Sequence, residues 1–242
     1  FQRIISGISI FALMAIPFFI FAGELMFHGG IAIRLVRFAS SAVGAMRGGL
    51  GVVNVFSSML FGGISGSAIA DISALGSILI PVMKEKGYDD DYAVNVTVTS
   101  SLAGIIIPPS HNMIIYAIAA GGGISVSKLF LAGFIPGVLM CVCLATVSYL
   151  VAVKRGYASE SFPGFVILFK NFILALPGLM TAIIIVGGVL SGIFTVTESG
   201  AFGAIYAFLV TIIVYRAMPW EKFKLAVTNS VRTTSMVMIL IA

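Results

Sequence analysis

The chain has 242 residues, 60% of them hydrophobic and only 10% charged, with a formal net charge of +5 and a pI near 9.4. A soluble domain averages about 25% charged residues, so an ordinary water-soluble fold is excluded and a polytopic helical membrane protein is expected. The basic residues are dispersed among apolar segments and form no stripe, which argues against a nucleic-acid surface and leaves orientation in a bilayer as their explanation.

The first apolar run, Ser9 to Phe27, is long enough to span, with Glu24 near its inner end. Arg34 to Met46 then alternates basic with apolar residues, as an amphipathic helix lying along the inner surface does. Next comes Gly48 to Met83, 36 residues without a charge except Asp71. As one helix it would reach roughly 54 Å, far beyond a hydrocarbon core of about 30 Å. As two spans, each half would sit near the lower limit for crossing. The connector Gly62-Gly63-Ile64-Ser65-Gly66-Ser67-Ala68 is uncharged and ill suited to water. The expectation is a re-entrant hairpin over Gly49 to Met83. Non-helical backbone at that depth survives only where protein or a water-filled cavity satisfies it, so the tip suggests a binding site at the midplane.

Ser65 and Ser67 offer hydroxyl oxygens at the tip, although small residues there also allow close packing. Asp71, one turn further on, is expensive inside a membrane and a functional candidate by default. Capping the second hairpin helix is its alternative role. The polar loop Lys84 to Asp91 reads as a solvated turn whose Asp residues cap the next helix; it lacks the alternating ligands and closing Glu of an EF-hand.

Tyr92 to Ala120 is long enough to span but is interrupted by Ile107-Pro108-Pro109-Ser110. The two prolines lack N–H donors, so the carbonyls of Gly104 and Ile105 lose their intrahelical partners. Free carbonyls are cation ligands. The helix starts after Ser67 and Ser110 aim unpaired N–H groups into the same space, which favours an anion. Together these describe a cation-coupled carrier of organic anions, against the plainer reading of a Pro-kinked packed helix. His111 can titrate near neutral pH, but a satisfied packing histidine is the simpler expectation.

Further spans are expected at Leu129 to Val153, Phe172 to Phe194, Ala201 to Tyr215 and Leu225 to Ala242. Cys141 and Cys143 point in different directions on one helix and read as packing residues. Glu198 can start the helix at Ser199, Trp220 falls at an interface, and Arg232 pairs with an acid or snorkels. With the hairpin returning to its own side, the inner loops hold Arg34, Arg37, Arg47, Lys84, Lys86, Lys154, Arg155, Lys170, Arg216, Lys222 and Lys224, against Arg3 and Lys128 outside. That is a strong positive-inside asymmetry, and counting the hairpin as one crossing would scatter it.

The chain opens Phe1-Gln2-Arg3 and ends within an apolar run, which reads as a fragment. Asp71 to Gly76 and Glu198 to Gly203 share acid, Ala and Gly positions, a weak sign of an inverted repeat whose second hairpin would lie beyond Ala242. The expected organisation is 1–48, a span plus interfacial helix; 49–120, the hairpin (49–83) with the Pro-broken helix (92–120); and 121–242, helices leading into a truncated second repeat.

The ordered motifs Ala15-Ile16-Pro17-Phe18-Phe19-Ile20-Phe21-Ala22-Gly23-Glu24-Leu25-Met26, Gly62 to Ala68 with Asp71, Ile107-Pro108-Pro109-Ser110 and Gly192-Ile193-Phe194-Thr195-Val196-Thr197-Glu198 resemble the large membrane subunit of tripartite ATP-independent periplasmic (TRAP) transporters, the DctM-like family. The resemblance covers nearly the whole chain. It implies an all-α, elevator-type carrier in the bacterial inner membrane that imports organic acids with Na+, a small four-helix membrane subunit and a periplasmic binding protein, and it implies no enzyme. It places a sodium site on Ser65, Gly66, Ser67, Gly104, Ile107, Pro108 and Pro109, and a substrate wall on Ser67, Asp71, Ser110 and His111. Two departures stand out: His111-Asn112 where the family commonly has apolar residues or Pro, and Val196 where it more often has Pro. The alternatives are an ion-coupled organic-anion carrier of a related elevator family that works without a binding protein, and an intramembrane hydrolase using Ser67, Asp71 and His111. Against the hydrolase, neither Ser lies in a Gly-x-Ser-x-Gly elbow.

Overall fold

The computed structural model describes residues 11–120 and 123–241. Arg3 and the start of the first expected span, Ser9 and Ile10, lie outside the described residues. Within them the architecture is all-α, with a single isolated bridge between Arg47 and Ser159. After a short 3-10 turn at Phe11–Met14, the helices are α1 (Ala15–His28), α2 (Ile31–Val43), α3 (Gly49–Ser65), α4 (Ala68–Glu85), α5 (Asp90–Ser100), α6 (Ala103–Ile106) and α7 (His111–Ala119). They continue as α8 (Val126–Lys154), α9 (Phe165–Leu190), α10 (Val196–Leu209) and α11 (Trp220–Ile241), with a π-helical turn, Val210–Val214, closing α10.

Three helical segments are long and apolar enough to cross a membrane: Val126–Lys154, Phe165–Leu190 and Val196–Val214. Two further candidates are bent pairs, α1 with α2 at 68° and Asp90–Ile106 with α7 at 53°. The second bend is the expected break at the two prolines. The first falls between the expected first span and the helix expected at the interface: Gly30, at φ +76, turns the chain, and α2 buries Ile31, Ala32, Leu35, Val36 and Ala39 while Arg37 stays exposed.

The hairpin forms as two packed helices, α3 and α4, and α3 alone is a short apolar helix. Two expectations are corrected. The last span, from Leu225, is not among the helices apolar enough to cross, because Asn229, Ser230, Arg232, Thr233, Thr234 and Ser235 interrupt it. The span expected from Phe172 begins at Phe165.

Packing forms two sets of helices joined where α2 and α1 lie against α3. α1 packs against α10 and α11, and α9 against α2 and α10. α3 packs against α4, α5, α6 and α8. In the second group Leu50, Val55, Met83, Tyr92, Val96, Ala103, Ile107 and Cys141 share one buried cluster. Cys141 is buried and Cys143 exposed, both free.

The loops counted as inner meet at one end of the molecule. Arg155, capping α8, reaches Asp89 at 2.8 Å and grips Asp91 with both nitrogens at 2.9 Å. The Tyr157 hydroxyl donates to Asp89 at 2.8 Å, Lys86 pairs with Glu160 at 3.1 Å, and the Asn171 amide donates to Ser41 at 2.5 Å. Tyr88, Tyr92 and Tyr157 stack beside the arginine, and burial pushes the Tyr88 hydroxyl up to about 12. The expectation that these Asp residues cap α5 fails in one respect. Asp89 occupies the cap position, but its carboxylate makes no cap hydrogen bond and is held by Arg155 and Tyr157 instead.

Candidate functional site

The tip of the hairpin is built by three residues. Ser65 ends α3, Gly66 turns the chain at φ +63, a backbone state that costs a residue with a Cβ about 1–2 kcal/mol, and Ser67 caps α4 by accepting from the Ala70 N–H at 3.3 Å. Asp71 is therefore not the cap. The Gly66 N–H satisfies the Gly62 carbonyl at 2.8 Å, and the Ser65 hydroxyl reaches the Ser67 carbonyl at 3.5 Å.

This tip rests directly on the break. A Cβ added to Gly66 would lie 2.9 Å from the Pro109 carbonyl oxygen and 3.2 Å from the His111 nitrogen. One added to Gly62 would lie 2.7 Å from the Gly104 Cα, so the two backbones touch with nothing between them. Gly133 and Gly137, four apart on α8, bring that helix against the Ile106 carbonyl and the Ile107 side chain from the other side. The structure thus brings together Ser65, Gly66, Ser67, Gly104, Ile107, Pro108, Pro109, Ser110 and His111, as the sequence predicts. An additional interruption at Ser101 and Leu102, which sequence reasoning missed, separates α5 from α6.

Several polar groups around this junction are buried without partners. The Ser110 hydroxyl, the His111 Nδ1 and both Asp71 oxygens have no hydrogen-bond partner among the described residues, and Ser110 and Asp71 are 0% exposed. His111 is accordingly not the satisfied packing histidine expected. No hydrogen bond joins Ser67, Asp71 and His111 to one another among the described residues, so a hydrolytic relay is not assembled here.

Behind Asp71 runs a chain of polar side chains that the sequence reading did not single out. The Thr97 hydroxyl donates to the Ala93 carbonyl at 2.8 Å, the Asn54 amide donates to Thr97 at 2.7 Å, Ser100 donates to Asn54 Oδ1 at 3.1 Å, and Ser58 donates to Ser100 at 3.1 Å. All four side chains are buried. The direction is fixed at the far end, because a carbonyl can only accept. Ser58, at the near end of this chain, is the hydroxyl that bears on the Asp71 carboxyl. An acid side chain in this position suits a positive charge, not an anion. The signal in the sequence was a set of polar residues three or four apart, Asn54 with Ser58 and Thr97 with Ser100, on otherwise apolar helices.

The remaining candidates are placed elsewhere. Glu198 and Thr195 form a capping box that starts α10, with the Thr195 N–H bound to Glu198 at 2.8 Å. Glu198 is thus exposed and held by its own helix start, whereas Asp71 is buried. Glu24 is paired with His28 at 3.3 Å and accepts from Asn229 at 3.2 Å, while Arg232 is exposed on α11. Trp220, 65% exposed, stacks on Phe223.

A membrane bundle of apolar helices in which a glycine-tipped hairpin abuts a proline-broken helix is a transporter-type architecture. A family model for the tripartite ATP-independent periplasmic transporter DctM component matches residues 1–242, and the chain belongs to that family. Over 240 residues it is 39% identical to the sialic acid TRAP transporter large permease protein SiaM of Vibrio cholerae, covering 99% of this chain and 56% of that protein. It is 36% identical to the C4-dicarboxylate TRAP transporter large permease protein DctM of Rhodobacter capsulatus (99% and 57%). It is also 36% identical to the 2,3-diketo-L-gulonate TRAP transporter large permease protein YiaN of Escherichia coli (100% and 56%). The chain thus spans a little over half the length of these relatives.

Proposed function

We propose that this chain carries the first hairpin and first broken helix of a large permease subunit that imports an organic acid with sodium across a bacterial inner membrane. The observation that carries this reading is the seating of the hairpin tip on the break, with Gly66 against Pro109 and His111 and with unpartnered buried groups facing the junction. The carbonyls that Pro108 and Pro109 leave free, with the Ser65 and Ser67 oxygens, form the sodium side. The N-terminus of α7, with the Ser110 hydroxyl and the His111 imidazole, forms one wall for the substrate carboxylate. Asp71, a buried acid, serves the cation in this reading. The three relatives named above are assigned by their names to sialic acid, C4-dicarboxylates and 2,3-diketo-L-gulonate, all carboxylates, and this supports an organic acid here.

A periplasmic binding protein would deliver the substrate and a small four-helix membrane subunit would brace the scaffold. Residues 49–120 would belong to the moving part of an elevator whose second hairpin is supplied by further chain. The test is uptake of a panel of organic acids by vesicles holding the complete subunit with both partners, comparing wild type with Ser67→Ala and Ser110→Ala. Sodium-dependent uptake that both changes strongly reduce, in correctly inserted protein, supports the proposal. Uptake indifferent to sodium, or to both changes, overturns it.

A further inference from the structure

The loop between α8 and α9 leaves a polar cavity of about 240 Å³ beside the end of α2, with Arg37, Ser40, Ser41, Glu160, Ser161 and Asn171 in its lining. It lies at the opposite end of α3 from the hairpin tip, so it belongs to a different part of the molecule.

Three observations define what it can hold. Arg37 is exposed and takes part in no ion pair among the described residues, so its guanidinium is available to an anion. Glu160, the acid in the lining, is engaged by Lys86 at 3.1 Å, which leaves nothing to hold an amine or choline group. The Asn171–Ser41 hydrogen bond at 2.5 Å fixes one wall, tying α9 to α2, and leaves the Asn171 carbonyl with the Ser40 and Ser161 hydroxyls as uncharged polar contacts. Beside this cavity begins the most exposed apolar strip on α9: Phe165 is 79% exposed, Val166 83% and Phe169 64%, with Phe162 against Phe165 at 5.2 Å. α9 is one of the helices apolar enough to cross, so the cavity sits where that helix enters the bilayer, among the basic loops.

We propose that this cavity binds the headgroup of an anionic phospholipid. The Arg37 guanidinium takes the phosphate through its planar fork, Ser40, Ser161 and Asn171 contact the other headgroup oxygens, and the aromatic strip of α9 lies along the acyl chains. The proposal goes beyond the transport reading and does not depend on it: it needs only that the chain sits in a membrane.

The test is native mass spectrometry of the detergent-purified protein titrated with phosphatidylglycerol, phosphatidylcholine and, separately, inorganic phosphate. The variants are Arg37→Gln and, as a control in the same basic end, Lys154→Gln. One retained phosphatidylglycerol is expected on wild type and on Lys154→Gln, weakened about tenfold by Arg37→Gln, with phosphatidylcholine failing to compete. If Arg37→Gln folds poorly, Ser161→Leu at the exposed mouth of the cavity should weaken binding likewise. Equal loss in both basic variants, equal retention of phosphatidylcholine, or displacement of the lipid by inorganic phosphate at matched concentration would overturn the proposal.

Discussion

Two groups of acids in this protein meet opposite fates. At the loop end, Asp89 and Asp91 are exposed and fully matched, gripped by Arg155 and, for Asp89, by Tyr157. At the hairpin, Asp71 is wholly buried and has no ion-pair partner among the described residues, although a chain of hydroxyls and an amide ends beside it. A satisfied ion pair near water holds loops in place and contributes modestly. A bare carboxylate in an apolar interior costs several kcal/mol and is retained only where something other than stability requires it. The contrast sets an architectural role at the loops beside the functional role proposed for Asp71.

The comparison is most exposed to Asp71→Asn. The amide keeps the shape and removes the charge, so thermal stability should hold or rise, while ion-dependent uptake falls roughly 10- to 100-fold. A loss of stability alongside the loss of uptake would make Asp71 a structural residue and collapse the distinction. Gly62→Ala probes the joint between hairpin and break. Its Cβ meets the Gly104 Cα at 2.7 Å, and overpacking of this kind costs about 1–3 kcal/mol, read as a lower unfolding midpoint together with impaired uptake.

A pair of serines gives a smaller but sharper contrast. Ser67→Ala loses a helix cap and should cost about 1 kcal/mol, whereas Ser110→Ala removes a hydroxyl that has no partner and should leave the midpoint unchanged. Equal effects would mean that Ser110 is held by the fold after all. The smallest effect belongs to the loop acids. Hydrogen bonds from Arg155 hold the Asp91 carboxyl below the usual carboxylate range. Its contribution is therefore complete above the ordinary carboxylate pKa of about 4 and is lost as pH falls through the lower folded value. The midpoint difference between wild type and Asp91→Asn should be constant from neutral pH down to about 4 and vanish below that. A difference that persists in strong acid would mean that the charge of Asp91 is not what holds the loop.

Much of this was legible in the residues. The run from Gly48, charged only at Asp71, is too long for one crossing and too short for two, so a hairpin was expected, and its turn falls at Gly66. Pro108 and Pro109 announced the break by the donors they lack. What the sequence hid was pairwise. Asn54, Ser58, Thr97 and Ser100 look like isolated polar residues until the hairpin folds onto α5, and the glycines of α8 look like ordinary membrane-helix glycines until they meet Ile106 and Ile107. Asp89 likewise reads as a helix cap, because nothing local reveals that Arg155, 66 positions later, will take its carboxylate. The polar run in α11 was visible, and length was allowed to outweigh it.

The π-helical turn at the end of α10 carries a consequence for phase. There the Tyr215 N–H reaches back five residues to the Val210 carbonyl at 2.9 Å, which accommodates one residue more than an α-helical turn holds. That surplus sets where Tyr215 faces: its hydroxyl meets the Leu174 carbonyl at 2.7 Å and its ring lies under the Arg34 guanidinium at 3.8 Å. Closing the turn as an ordinary α-helix with all its residues kept would rotate Tyr215 by roughly 100° out of both contacts, whereas deleting one of the exposed isoleucines, Ile212 or Ile213, along with the bulge would leave it on the Val210 carbonyl and facing the same way. Replacing the same residue with another apolar one would leave the register untouched. At this place the number of residues, more than their identity, is what the fold reads.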